Sequence, residues 1–395
     1  MEDHHTLTTN AIGFCLLPSE LMQKILLHLP LPEIRLLGSL NKSIRNMIAD
    51  QNFVRDYNLQ SSSTTWLFVY RKRWRHDAIL CYSDQSTRWF NMVGLTRLLK
   101  RVIFPGESVY FLAADGNFFL FASNSRQEVI VVNSATKVVK KIPPSPLGPR
   151  GTSSWRRSGM KLVSGSDHFR FFFAELVDNR PVVFFYASET DNWRSLKAIE
   201  TSGELPRVNR KDGNPIFLNA VNGPRESLVI ALGSERDAPV ILRPRFYTGQ
   251  DNGQQLTVGF NWENVIDRLY VYGDGHMVML KSNGVDGMDI GVRKLEGIEL
   301  WSLSLNGRNW EFISKLPTKM MEGIRKPYQA MMGCLEVVNG GMIRIALLST
   351  FENAWDIIWL SYDVGRSEWC QVPLPACWMK GVNMAGIAFS SGLTM

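Results

Sequence analysis

Ile357-Ile358-Trp359-Leu360, followed by Trp369 and Pro373, is one copy of a phrase that returns through most of the chain: an apolar strand, a turn, a tryptophan beside an apolar residue, and a closing proline. Other copies are Val183-Phe184-Phe185-Tyr186 leading to Trp193, and Leu300-Trp301-Ser302-Leu303 leading to Trp310 and Pro317. Ile130-Val131-Val132 leads instead to Val138 and Pro143, with valine in the tryptophan place. Glycine turns precede further apolar strands upstream of the copies: Gly116 before Phe118-Phe119-Leu120, Gly165 before Phe169-Arg170-Phe171, Gly223 before Leu228-Val229-Ile230, Gly275 before Met277-Val278-Met279, and Gly341 before Ile343-Arg344-Ile345. Short strands set off by Gly, Asn, Asp and Pro turns, with no helical spacing, define an all-β region.

The tryptophan-type positions 89, 138, 193, 310 and 369 are 49, 55, 117 and 59 residues apart, so one degenerate copy lies in the long gap. A repeat of about fifty residues is the kelch-like spacing of propeller blades. A four-stranded blade has two apolar faces that only neighbouring blades can cover, so the repeats are expected to close into a ring. Counting the degenerate copy gives six blades, with seven as the alternative. The last apolar segment, Met384-Ala385-Gly386-Ile387-Ala388-Phe389, is expected to return beside Trp66-Leu67-Phe68-Val69 and complete the first blade. The repeated tryptophans read as packing anchors between blades, since aromatics supply large buried area.

Ahead of the repeats, Leu17-Pro18-Ser19-Glu20-Leu21-Met22 through Asn52-Phe53 reads as three short amphipathic helices. Leu21, Ile25 and Leu29 recur every four residues, flanked by Met22 and Leu26, with Glu20, Gln23 and Lys24 on the other side. Pro30 and Pro32 end that helix, and Pro32 suits the first turn of the next, where Ile34, Leu37 and Leu40 continue the stripe. Ile44, Met47 and Ile48 mark a third. Helices below about 12–15 residues are marginal alone, so these need a partner surface.

The order Leu17-Pro18, Ile25-Leu26, Leu29-Pro30, Leu36-Leu37, Lys42 and Phe53 resembles an F-box, with Ile44 where many members have tryptophan. With the repeats that follow, nearly the whole chain resembles the F-box/kelch-repeat substrate receptors abundant in plants, although only Gly340-Gly341 shows the kelch double glycine. The resemblance implies a small all-α F-box followed by an all-β, kelch-like or galactose-oxidase-like propeller. The expected divisions are a tail over 1–14, the F-box over 15–57, a linker over 58–65 and the propeller over 66–395. It further implies a non-catalytic subunit that binds a Skp-type adaptor and, through it, a cullin, while the propeller takes a target protein. The adaptor contacts it implies are Leu17, Pro18, Leu21, Ile25, Leu29, Pro30, Leu37, Leu40 and Ile44, with Leu17 and Leu40 divided between interface and domain core.

Composition fits that reading. The chain has 395 residues, of which 45% are hydrophobic, enough for a sizeable core. No run approaches a membrane span and Met1-Glu2-Asp3-His4-His5 lacks a basic secretory start, so an intracellular protein of nucleus or cytoplasm is expected. Cys15, Cys81, Cys334, Cys370 and Cys377 form no C-x-x-C pair, which argues against a disulfide framework or structural zinc. A net charge of +7 from 44 basic and 37 acidic residues is a mild excess that argues little for nucleic acid. The dense cluster Arg71, Lys72, Arg73 and Arg75 reads as a solvated edge of a half-buried strand in preference to a nuclear import or nucleic-acid motif.

Chemistry is sparse. A propeller oxidase would need tyrosine and histidine converging on a metal, but His76, His168 and His276 lie far apart in sequence and outside any short metal motif. Gly273-Asp274-Gly275-His276 lacks the third glycine and helix of a dinucleotide fingerprint and reads as a hairpin turn. Asp286-Gly287-Met288-Asp289 lacks the calcium-loop glutamate, and Asn41-Lys42-Ser43 falls inside the F-box-like helices. No cofactor is expected. Two rivals stay open: an F-box co-regulator of a transcription factor that does not direct degradation, and a propeller metalloenzyme. The polar segments 201–215 and 247–255 are the candidate target-binding loops.

Overall fold

Asx side chains and prolines set where the N-terminal helices begin, and tight turns set where the strands end. The computed structural model describes residues 17–61, 64–71, 78–86, 88–151, 154–155, 158–200, 215–222, 226–233, 237–246, 268–273, 276–286, 293–328, 330–338, 341–352, 354–375 and 384–395. The chain divides into two compact units, Met1–Thr65 with Ser391–Met395, and Trp66–Ser390. Of the candidate loops, 201–214 and 247–255 lie outside the described residues, as do His76, residues 72–77 and 287–292.

The larger unit is a β-propeller of six blades. From inner to outer strand, blade 1 runs Met384–Ser391, Thr65–Arg71, Ile79–Ser83 and Phe90–Asn91, and blade 2 runs Val109–Asp115, Phe118–Ser123, Val129–Asn133 and Val138–Ile142. Blade 3 runs Met160–Ser164, Phe169–Val177, Arg180–Ala187 and Asn192–Lys197, and blade 4 runs Ile216–Asn222, Glu226–Leu232, Val240–Leu242 and Ile199–Glu200. Blade 5 runs Arg268–Gly273, His276–Asp286, Arg293–Leu303 and Asn309–Lys315, with the short strand Arg245–Phe246 added in parallel at its outer edge, and blade 6 runs Ala330–Val338, Met342–Phe351, Ala354–Asp363 and Glu368–Val372. The first strands of blades 2 to 6 neighbour one another in turn and so ring the axis. The returning C-terminal strand takes the inner place of blade 1 beside Thr65–Arg71, as the sequence predicts.

Blade 4 is the degenerate copy. Among the described residues it has no hairpin to an outer strand of its own, and its edge is filled by Ile199–Glu200, which runs parallel to Val240–Leu242 and precedes the blade in sequence. That substitution accounts for the missing tryptophan between 193 and 310.

Cores form between blades. Phe172, Phe185, Leu218 and Ile230 join blades 3 and 4, and Leu280, Leu300, Ile345 and Leu360 join blades 5 and 6. Phe68 and Tyr70 meet Phe119 and Phe121 at 4.8 and 5.5 Å across blades 1 and 2. One sequence expectation fails here. Trp66 through Tyr70 are all buried, not alternately, because Thr65–Arg71 is flanked by strands on both sides and has both faces covered. The basic residues Lys72, Arg73 and Arg75 that continue the chain lie outside the described residues.

The tryptophans act through a stitch more specific than bulk packing. Trp89, Trp193 and Trp369 each follow a tyrosine by seven residues and pack on it at 5.2, 5.4 and 5.1 Å, with Tyr186 and Trp193, and Tyr362 and Trp369, directly opposite in register. Each indole N–H then reaches the preceding blade: Trp193 to the Pro143 carbonyl at 2.7 Å, Trp369 to Ser314 Oγ at 2.9 Å, and Trp89 to the Pro375 carbonyl at 3.1 Å. Two closing prolines take part at these junctions: the Pro143 carbonyl accepts the Trp193 indole N–H, and the Pro373 carbonyl accepts the Tyr82 hydroxyl at 3.0 Å. Where Val138 replaces tryptophan, an inserted helix (Val93–Lys100) spans the same two blades and buries Leu95, Leu98 and Leu99.

Replacing Trp193 with phenylalanine keeps a ring but leaves the Pro143 carbonyl without this donor, and should cost about 1–2 kcal/mol. Denaturant unfolding of the full chain followed by near-ultraviolet circular dichroism checks it; an unchanged midpoint would show that the stitch carries no stability.

Candidate docking site

Four helices build the smaller unit: α1 (Ser19–Leu27), α2 (Leu31–Leu40), α3 (Lys42–Ile48) and α4 (Gln51–Ser61). Local chemistry sets each start. The Pro18 carbonyl accepts the N–H groups of Leu21 and Met22 at 3.0 Å, and the Pro30 carbonyl accepts those of Glu33 and Ile34 at 2.9 and 3.1 Å. Asn41 Oδ1 caps α3 by accepting the Ser43 N–H at 2.7 Å, and Asp50 Oδ1 caps α4 by accepting the N–H groups of Asn52 and Phe53 at 2.9 and 3.2 Å. Asn41, which opens the glycosylation-type sequon Asn41-Lys42-Ser43, thus serves as a helix cap.

Helix α4 departs from the expectation of three helices and a linker from residue 58. It continues through Ser61 and places Phe53 and Tyr57 in the core. Tyr57 donates its hydroxyl to the Leu29 carbonyl at 3.1 Å. Burial pushes its phenol well above the ordinary tyrosine range, opposed by the nearby Arg35, so it remains a neutral donor. The end of the chain also belongs to this unit: Leu393 is buried and the Met395 N–H donates to Asn58 Oδ1 at 3.0 Å.

With α4 in place, α1 and α2 each have an inner and an outer apolar face. Met22 and Leu26 of α1, Leu31 and Ile34 of α2, and Ile44 of α3 point inward with Phe53 and Tyr57. Gly38 lets α2 and α3 close up, since a Cβ there would fall 2.3 Å from Ile48 Cδ1. Leu21 and Ile25 are left 47% and 39% exposed, and Leu36 and Leu40 are left 55% and 73% exposed. Both pairs are at i, i+4 spacing, so each lies along one helix face.

The expected contact residues therefore separate. Pro18, Leu21, Ile25 and Leu40 are exposed, while Leu17, Leu29, Pro30 and Leu37 are half-buried. Ile44 is only 5% exposed, so the structure assigns it to the core and not to an outward surface. Leu36, absent from the expected set, joins it on exposure. The i, i+4 relation of Leu36 to Leu40, out of phase with Leu31 and Ile34, carries that information in the sequence.

Chemistry elsewhere is limited. His168 sits in a turn with its ring nitrogens 3.1 Å from Asp167 and 3.2 Å from Glu189, and His276 opens the second strand of blade 5. Among the described residues no group of three or more His, Cys, Asp and Glu could hold a metal, and no helix is long and apolar enough to cross a membrane. Cys81, Cys334 and Cys370 are free thiols, and burial pushes the Cys334 thiol up.

Residues 14–56 match the F-box domain family. Helices α1 to α3 and the first half of α4, with the outward pairs Leu21/Ile25 and Leu36/Leu40, fall within this match. Curated proteins give no match. Among solved structures, a nidogen/laminin complex chain shares 11% identity over 84% of this chain and 99% of its own, with a TM-score of 0.38. TolB from Acinetobacter baumannii shares 8% over 83% of this chain and 67% of its own, with a TM-score of 0.41. Likenesses this distant carry no argument about function.

Ile44→Ala should destabilise the F-box by about 2–4 kcal/mol, as expected for a cavity at a buried aliphatic side chain, whereas Leu40→Ala should stay within about 0.5 kcal/mol. Thermal unfolding monitored at 222 nm separates them, and equal effects would refute the division into inner and outer faces.

Proposed function

We propose that this protein is the substrate-recognition subunit of a Skp–cullin–F-box ubiquitin ligase. Its F-box holds a Skp-type adaptor and through it a cullin, and its kelch-like propeller holds a target protein. The observation that carries this reading is the solvent-facing set Leu21, Ile25, Leu36 and Leu40 on helices that match an F-box, next to a core complete without them. Covering such half-exposed aliphatic side chains is worth on the order of 1 kcal/mol each, so a partner seated there gains several kcal/mol without disturbing the fold.

The subunit performs no bond chemistry in this reading. It accelerates ubiquitin transfer by holding target lysines near the charged carrier at high effective concentration, which replaces a diffusional encounter by an intramolecular one. Such a role requires a rigid body on which to display the target, and the stitched ring suits it. The expected compartments are nucleus and cytoplasm, where the ligase components operate.

The test is a pull-down from cell extract with the intact chain and with a Leu21→Asp, Ile25→Asp double variant, scored for Skp and cullin by mass spectrometry. Recovery of both by the intact chain and loss of both by the folded variant is expected. Equal recovery by the two, or by neither, would refute the proposed docking role.

A further inference from the structure

The helix inserted between blades 1 and 2, α5 (Val93–Lys100), places Arg97, Lys100 and Arg101 within five residues at the end of a firmly seated element. Its Leu95, Thr96, Leu98 and Leu99 are buried, and it contacts strands of both blades. Arg97 and Arg101 are exposed and Lys100 is half-buried. Among the described residues no ion pair joins any of the three. Elsewhere on the ring, Lys140, Lys141, Lys326 and Arg344 each meet a carboxylate at 2.6–3.0 Å.

Like charges at i, i+3 and i+4 repel one another. The helix dipole favours cations in the last turn, but it offsets only about half an elementary charge, so a net positive ridge remains. The next carboxylate along the chain after this helix is turned inward. Glu107 is buried and accepts from the hydroxyls of Ser123 and Ser125 and the N–H groups of Ser125 and Arg126. Burial alone would raise its pKa, but these hydrogen bonds prevail and hold it below the ordinary carboxylate range. The segment between the helix and Glu107 carries the half-exposed Phe104, with the Arg126 guanidinium 3.6 Å above its ring. The register explains the meeting: Val109 pairs with Ser123, and the Asn124 N–H donates to the Ser108 carbonyl at 2.9 Å.

We propose that this cationic ridge is a docking site for an acidic peptide segment of the target protein. The inference deepens the receptor reading and rests on it. Arg97 and Arg101 are separated by about 6 Å along the helix, close to the roughly 6.8 Å between alternate side chains of an extended peptide. Two or three carboxylates on one strand therefore fit three cations, and the two arginine forks supply paired hydrogen bonds. A nucleic acid would ask for a wider field, since such proteins commonly neutralise about 6–10 phosphates.

The test titrates the full-length chain with a fluorescein-labelled hexaglutamate peptide at low salt, beside a single-stranded oligonucleotide and phosphatidylserine vesicles. Saturable peptide binding is expected, weakened about tenfold or more in the R97Q/K100Q/R101Q variant. The R97K/R101K variant should lie within about threefold of the parent, because charge is kept and only the fork geometry is lost. Equal affinity of parent and glutamine variant for the peptide, at unchanged melting temperature, overturns the proposal. So does tighter binding of the oligonucleotide or the vesicles than of the peptide through the same three residues. Adaptor capture is scored separately: a chain that binds the peptide through the ridge but captures no adaptor keeps the ridge and overturns the receptor reading.

Discussion

Burial of two apolar faces per blade is the constraint on which the propeller depends. A single four-stranded sheet bearing Phe171, Phe172, Phe173, Val183, Phe184 and Phe185 on both sides cannot be stable in water alone, since each such side chain is worth about 1.5–3 kcal/mol on burial. Stacking in a ring covers every face, provided the ring closes. Closure falls to the C-terminal strand Met384–Ser391, which pairs beside Thr65–Arg71 and brings Phe389 against Trp359 at 5.3 Å. The indole stitches act on this arrangement as directional bonds, fixing at three of the junctions how far one blade slides along its neighbour where apolar contact alone would be permissive.

The F-box follows the opposite logic. Its helices bury one apolar face each around Phe53 and Tyr57, and α1 and α2 leave a second face in water. Exposed single leucines are common on protein surfaces, but Leu21 with Ile25 and Leu36 with Leu40 are arranged along helix faces at a unit that a family match independently identifies. The F-box thus retains exposed apolar side chains aligned in pairs along its helices.

Much of this architecture is legible in the residues. The recurrence of Trp193, Trp310 and Trp369 near a fifty-residue period locates the blades, and the gap between 193 and 310 reveals the degenerate one. The constant seven-residue step from Tyr82 to Trp89, Tyr186 to Trp193 and Tyr362 to Trp369 is also present in the sequence and reports the hairpin register. What periodicity cannot reveal is which apolar face a partner covers. Leu21, Met22, Ile25 and Leu26 are equally apolar, and only the placement of α4 decides that Met22 and Leu26 turn inward. Helix α4 itself is marked by the Asp50 cap and the i, i+4 pair Phe53 and Tyr57, a signal obscured by the polar run that follows. Burial of Ile44 and the unbroken burial of Trp66–Tyr70 likewise depend on neighbours distant in sequence.

The central claim is that the outer F-box face binds an adaptor while the inner face holds the fold. The most direct measurement is isothermal titration of the full chain with a purified Skp-type adaptor at several temperatures. The account predicts one-to-one binding with a negative heat-capacity change, the mark of apolar burial, that is greatly reduced by Leu36→Ala with Leu40→Ala at unchanged melting temperature. Absence of binding, or binding indifferent to those two leucines together with Leu21 and Ile25, would contradict it.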